Sequence, residues 1–414
     1  MLRDVELLPA HDLVIPSEIL EGNAAGREIS ELRESIAELP LSYSTLLEVV
    51  EDLYVPAPGE AAPTLWDVEA ALAANEQVWE RIAQLTADSI PMPAAPEDVM
   101  APEMEIFGFV LRYADLRIRA FLRAGDHRGA LATLRAYDRF TEGRVRAPLS
   151  LLEGLFANAL RYGQATNFAA IFRSGLLAPE EERALLHELA LAARDVSPLE
   201  YAILGEYRLQ CRACREFDYD VPFSPPSLFG EGRTYWIPYS LGYKPNRIQN
   251  ALALRVRRAI AEVRTPYEPR ATDSPPGAFD QGPPTGVLER AGALLRGNYV
   301  GESLFVNLDP QYRSLRISTL SRTAYLRATL VAIALYLHER DRGSVPSTLQ
   351  ALVPDYLGAV PLDPFDGQPI RFDVDEVAVY SVGSDGVDRG GGISSSADPE
   401  EPTVRLEDIR NGTL

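Results

Sequence analysis

The sequence predicts an α+β protein in which a mainly helical body, an irregular array of α-hairpins, is followed by a long helix packed on a small antiparallel β-sheet. Three observations carry this expectation. From about residue 25 to 264, apolar residues recur three and four apart between Pro- and Gly-rich breaks. From about Leu315 to Arg342 one stretch keeps the helical spacing and is stopped by Gly343 and Pro346. Beyond it, the β-prone runs Ile370–Phe372 and Val377–Val382 are separated by turn residues.

The body begins with the apolar positions Ile29, Leu32, Ile36 and Leu39, and continues with Val68, Leu72 and Val78 to Leu85. Proline-rich breaks at 56–63 and 91–102 separate these helices, and nothing in the region reads as strand. Phe107 to Phe140 reads as two amphipathic helices joined by AGDHRGA, in which Gly125 and Gly129 flank a short polar turn. That turn resembles a tetratricopeptide hairpin, although no strict repeat period runs along the chain. Leu151 to Phe172, Pro179 to Arg194 and a segment from about Leu199 continue the same style. Residues 221–245 are aromatic and rich in Pro and Gly, unlike either helix or regular strand. One more helix, Arg247 to Val263, closes a body spanning 1–263. Residues 264–286 read as a flexible connection, 287–314 as a connecting helix (Val287 to Leu295) and loop, and 315–414 as a C-terminal head.

In the long helix, Leu326, Leu330, Ile333 and Leu337 form one apolar stripe, while Ala324, Ala328, Val331 and Leu335 form another. A helix apolar over so much of its circumference is expected to be covered on two sides.

Charge and composition narrow the partners. The 414-residue chain carries a formal net charge of -20, and Lys244 is its one lysine. Nucleic acid and anionic membrane surfaces need a positive field that such a chain lacks overall. The N-terminal run places Asp4, Glu6 and Asp12 where a signal peptide needs basic and then apolar residues. The longest apolar stretch, Ala328 to Leu337, falls well short of a membrane span. The chain as written is therefore expected to be soluble, with membrane attachment only through an anchor upstream of Met1.

The segment after the long helix combines a Pro-containing short helix ending in Tyr356-Leu357, a turn Pro361-Leu362-Asp363-Pro364, paired strands, and Tyr380-Ser381-Val382-Gly383-Ser384-Asp385-Gly386. With Pro346, Leu349, Leu352, Val353, Gly367 and Pro369, this order resembles the soluble domain of a type II secretion pseudopilin. The resemblance covers roughly the last quarter of the chain and implies a fold more than a function. Two departures qualify it. Residues 1–314 precede the helix, and Arg316, Arg322 and Arg327 stand where a pseudopilin helix would cross the membrane. Polymerisation by the usual helix packing is not expected, and the second apolar stripe becomes a docking face for the body. The arrangement as a whole is similar to large planctomycete-type envelope proteins, through Asn23 to Ala25, Lys244 to Asn246 and this ending. That similarity implies an N-terminal anchor and a body facing the periplasm.

The resemblance to major pseudopilins also implies calcium bound after the Gly-Ser-Asp-Gly turn. Asp385, Asp388, Asp398, Glu407 and Asp408 offer the hard oxygen ligands, against the alternative of a plain acidic turn with altered spacing from the insertion GGGISSSADPEEP. Cys211 and Cys214 have redox or half-zinc spacing, but lie within a predicted helix without a second ligand pair, which favours a structural role. His11, His127, His187 and His338 fall in no catalytic or metal-binding spacing. Tyr235, Trp236, Tyr239 and Tyr243 form either a plug between domains or a surface for a glycan or protein partner. The expectation is a non-enzymatic cell-envelope protein, acting in protein assembly or as a scaffold near a secretion system. A peptide- or glycan-binding protein and an unrecognised hydrolase are the alternatives.

Overall fold

The computed structural model describes residues 6–15, 65–84, 102–146, 148, 150–194, 198–216, 222–223, 235–236, 244–269, 309–391 and 402–412. Within them the chain is mainly helical, with a small three-stranded antiparallel sheet near the C-terminus. The expected helix at Ile29 to Leu39, the one at Val287 to Leu295 and residues 270–286 lie outside the described residues.

The body contains α1 (Leu65–Gln84), α2 (Pro102–Arg123), α3 (His127–Arg146), α4 (Leu151–Arg173), α5 (Pro179–Ala192), α6 (Glu200–Glu216) and α7 (Pro245–Val263). The α2–α3 turn shows why AGDHRGA has its glycines. Gly125 takes φ +74°, the Asp126 carboxylate accepts the Gly129 amide at 2.9 Å, and a Cβ on Gly129 would meet the Phe121 ring at 2.7 Å. Ser150 caps α4 by accepting the Glu153 amide. Gly163 lets α4 approach α2 and α3 so closely that a Cβ there would lie 2.4 Å from a Leu111 methyl.

The long helix α8 (Asp309–Arg342) is the spine of the molecule. It starts earlier than the apolar pattern suggests, because its first turns are polar. Asn158 donates to Ser318 and Thr319 at 3.1 Å, and Arg161 reaches Thr323 at 3.4 Å, so this half meets α4 through a polar seam. From Ala324 onward both apolar stripes are buried, against α4 and α5 on the body side and the sheet on the other. Gly343, at φ +77°, ends the helix as expected.

After a 3-10 turn (Leu349–Leu352) come β1 (Arg371–Asp373), β2 (Ala378–Tyr380), β3 (Thr403–Arg405) and the short α9 (Leu406–Asn411). The sheet order is β1-β2-β3, with Val379 opposite Phe372 on one side and Val404 on the other. One continuous core runs from Ile118, Leu134 and Phe168 through Val331 and Leu335 to Val379, Val404 and Ile409. Body and head thus share their largest core across α8. Three further clusters lie beside it among the described residues: one joins α1, α2 and α3, one joins residues 13–15 with α6, α7 and the start of α8, and a small one joins Leu320 and Ala324 of α8 with Phe365 and Val382 of the head.

Two further sequence expectations change. The aromatic stretch at 221–245 holds a short antiparallel pair of two-residue strands, Pro222–Phe223 with Tyr235–Trp236, where no strand was expected. The flexible connection expected from residue 264 is anchored through 269: the Tyr267 ring meets Phe365 edge-on at 5.1 Å, and its hydroxyl donates to the Ser384 carbonyl at 2.6 Å.

Candidate functional site

Three parts of the structure bear on function: the junction of body and head, the acidic C-terminal turn, and a cavity at the α6–α7 end.

Three arginines of α8, Arg316, Arg322 and Arg327, hold the junction. Arg327 donates to the carbonyls of Ala193 and Arg194, at the end of α5, at 2.9 and 2.7 Å, and to that of Leu362, in the head, at 2.7 Å. Arg316 donates to the Thr265 carbonyl at 2.7 Å and lies over the Tyr267 ring. Arg322 covers the Tyr162 ring of α4. Further along, Arg340 forms a forked pair with Glu182 of α5, and one amino nitrogen of Arg410 reaches both carboxylate oxygens of Glu339.

Inside the head, Asp363 is fully buried and organises both motifs that suggested the resemblance. Its carboxylate accepts the Ser381 hydroxyl at 2.8 Å, the Val382 amide at 2.9 Å, the Phe365 amide at 3.0 Å and the Arg371 guanidinium at 3.2 Å. Arg371 also reaches Asp366 and Asp388. A buried carboxylate is tolerable where its lone pairs are filled and a cation answers its charge, as here.

The carboxylates expected to bind calcium are given to separate donors. Asp385 pairs with Arg389 at 2.5 Å, which holds its carboxyl below the usual range. Burial pushes Asp388 the other way, but bonds from the Gly390 amide, the Tyr380 hydroxyl and Arg371 prevail and lower it. Asp408 accepts the Arg405 amide at the start of α9, and Glu407 accepts from Asn411. Asp398 lies outside the described residues. Among the described residues no group of three or more His, Cys, Asp or Glu side chains gathers for a metal ion. The described carboxylates therefore do not fit a shared calcium coordination sphere.

Of the aromatic quartet, Tyr235 and Trp236 form the second strand of the short pair, and Tyr239 and Tyr243 lie outside the described residues. Cys211 and Cys214 are both buried and unbridged within α6, and burial pushes the Cys211 thiol up, away from the reactive thiolate. Among the described residues no helix is long and apolar enough to cross a membrane.

Sequence reasoning missed the cavity, of about 450 Å³, at the α6–α7 end. Its floor is Tyr207 and Cys211 of α6, and one wall is Leu7, Leu8, Ala10 and Leu13. Arg208, Arg212 and Arg215 line it from one face of α6, with Gln249 and Asn250 of α7 completing it. The helical spacing of the arginines was visible in the sequence. The segment that makes a cavity over them lies about two hundred residues away in the chain and announced nothing.

Set against protein-family models, curated proteins and solved structures, the chain matches none.

Proposed function

We propose that this chain is a non-enzymatic cell-envelope protein, in which a helical body carries a pseudopilin-like head and serves protein assembly or scaffolding near a secretion system. It works on the periplasmic side and is held to the membrane by an anchor outside the chain. The observation that carries the proposal is the enclosure of α8, covered by α4 and α5 on one side and by the sheet on the other. A pilin-type helix that polymerises must offer a face to its neighbours; here Arg327 and Arg340 tie that helix to the body instead. The long helix, the PLDP turn and the three-stranded sheet joined through Asp363 support the likeness of the head.

Fractionation of cells making the full-length protein tests the location, and cross-linking followed by purification tests the role. The expected outcome is an envelope fraction accessible to protease from the periplasm, with components of a secretion apparatus among the cross-linked proteins. A cytoplasmic protein without such cross-links would overturn the proposal. So would concentration-dependent filaments of the purified chain.

A further inference from the structure

The α6–α7 cavity stands out in an acidic molecule because it is lined by positive charge. Arg208, Arg212 and Arg215 recur at four- and three-residue spacing and so share one face of α6. Arg208 and Arg215 are exposed, and among the described residues neither has a carboxylate in ion-pair range. The contrast with Arg257 on α7 is close at hand. That guanidinium forms a forked pair with Asp12 at 2.7 Å, holding the Asp12 carboxyl down at about 2, and donates to the Pro9 carbonyl. Asn250 accepts the Leu8 amide at 2.7 Å and donates to the Glu6 carbonyl at 2.8 Å. Residues 6–12 are therefore strapped to α7, and from them Leu7, Leu8 and Ala10 line the cavity beside the arginine face.

We infer that this cavity binds a small amphipathic organic anion, with its headgroup on Arg208 and Arg215 and its apolar part against Leu7, Leu8 and Leu13. The volume lies in the range of small-molecule sites, about 300–1,000 Å³. Guanidinium groups take carboxylate and phosphate in a forked geometry, so both headgroups share the chemistry. A local positive field inside a chain of net charge -20 also draws an anion to one place. The inference is independent of the envelope role proposed above, and adds a ligand to a body otherwise read as scaffold.

Isothermal titration of the intact chain with octyl phosphate, octanoate, inorganic phosphate and neutral 1-octanol tests it. At least one of the two amphiphiles is expected to bind one per chain, and the stronger identifies the headgroup. Inorganic phosphate and octanol are each expected to bind about tenfold more weakly or worse, lacking one half of the interaction. The double substitution Arg208→Gln/Arg215→Gln should weaken the amphiphile by about tenfold or more. Its melting temperature should be unchanged, because both side chains are exposed. Three results would each overturn the inference: no binding of either amphiphile at about millimolar concentration, octanol binding as tightly as the anions, or undiminished binding by the double variant.

Discussion

A carboxylate buried in the head and one partly buried in the body are answered in opposite ways. In the head, the buried Asp363 meets Arg371 and three neutral donors, and Arg371 is shared among Asp363, Asp366 and Asp388. In the body, Asp138 on α3 is partly buried beside a neutral partner, Gln164, which donates to it at 3.0 Å, with Glu142 and Glu188 adding negative charge nearby. At the far end of the body, Arg208 and Arg215 face a cavity. The charges around Asp363 are thus consumed in fixing one geometry. The body retains charges of both signs whose energy depends on pH or on something arriving from outside.

The sharpest way to break the head's side of the comparison is Asp363→Ala. It would strip four donors of their acceptor and leave Arg371 with only its more exposed partners. The expected loss is about 3–5 kcal/mol, the cost of removing one member of a buried charged network. Urea unfolding monitored by near-ultraviolet circular dichroism would measure it. Asp363→Asn should lose less, since an amide oxygen still accepts. Equal stability of wild type and Asp363→Ala would show that the network is ornamental.

Next in size is Arg327→Met, which keeps a long apolar stem but removes the donors to Ala193, Arg194 and Leu362. The expected cost is about 1–3 kcal/mol. Hydrogen exchange should rise at the end of α5 and in the PLDP turn together, because one side chain holds both. A rise at only one of them would show that body and head are joined by the α8 core alone.

How much of this was legible in the sequence depends on the kind of contact. The second half of α8 announced itself because Leu326, Leu330, Ile333 and Leu337 pack on apolar neighbours and so follow the helical period. Its first half did not, since Ser318, Thr319 and Thr323 meet Asn158 and Arg161 through hydrogen bonds that leave no apolar stripe. Pro310, acceptable in a first helical turn, was the available signal for the earlier start. Asp363 and Ser381 were visible as motif residues, but their bond spans eighteen positions, and only the fold reveals that the two motifs form one network. The third strand, Thr403–Arg405, is too short to carry an alternation of its own. The carboxylates at 385 and 388 looked like ligands because sequence shows acids but does not show that Arg389 and Arg371 already occupy them.

The body's side of the comparison yields the smallest effect and the one that depends on pH. Burial, reinforced by Glu188 and Glu142, pushes the Asp138 carboxyl up to about 7, against the lowering by Gln164 and Arg139. In the unfolded chain the same group should titrate near 3.8. Between these values the folded protein holds a proton that the unfolded chain has released. The contribution is therefore fully present below the unfolded value and is lost as pH rises through 7. Asp138→Asn removes the ionisation while keeping an oxygen for Gln164 to donate to. Because the side chain keeps some contact with water, only part of the shift should appear as stability. The variant should melt about 2–4 °C above wild type at pH 8 and level with it near pH 4. A gap of the same size at both pH values would mean that the substitution acts through packing, and that the body's carboxylate is as well satisfied as the one in the head.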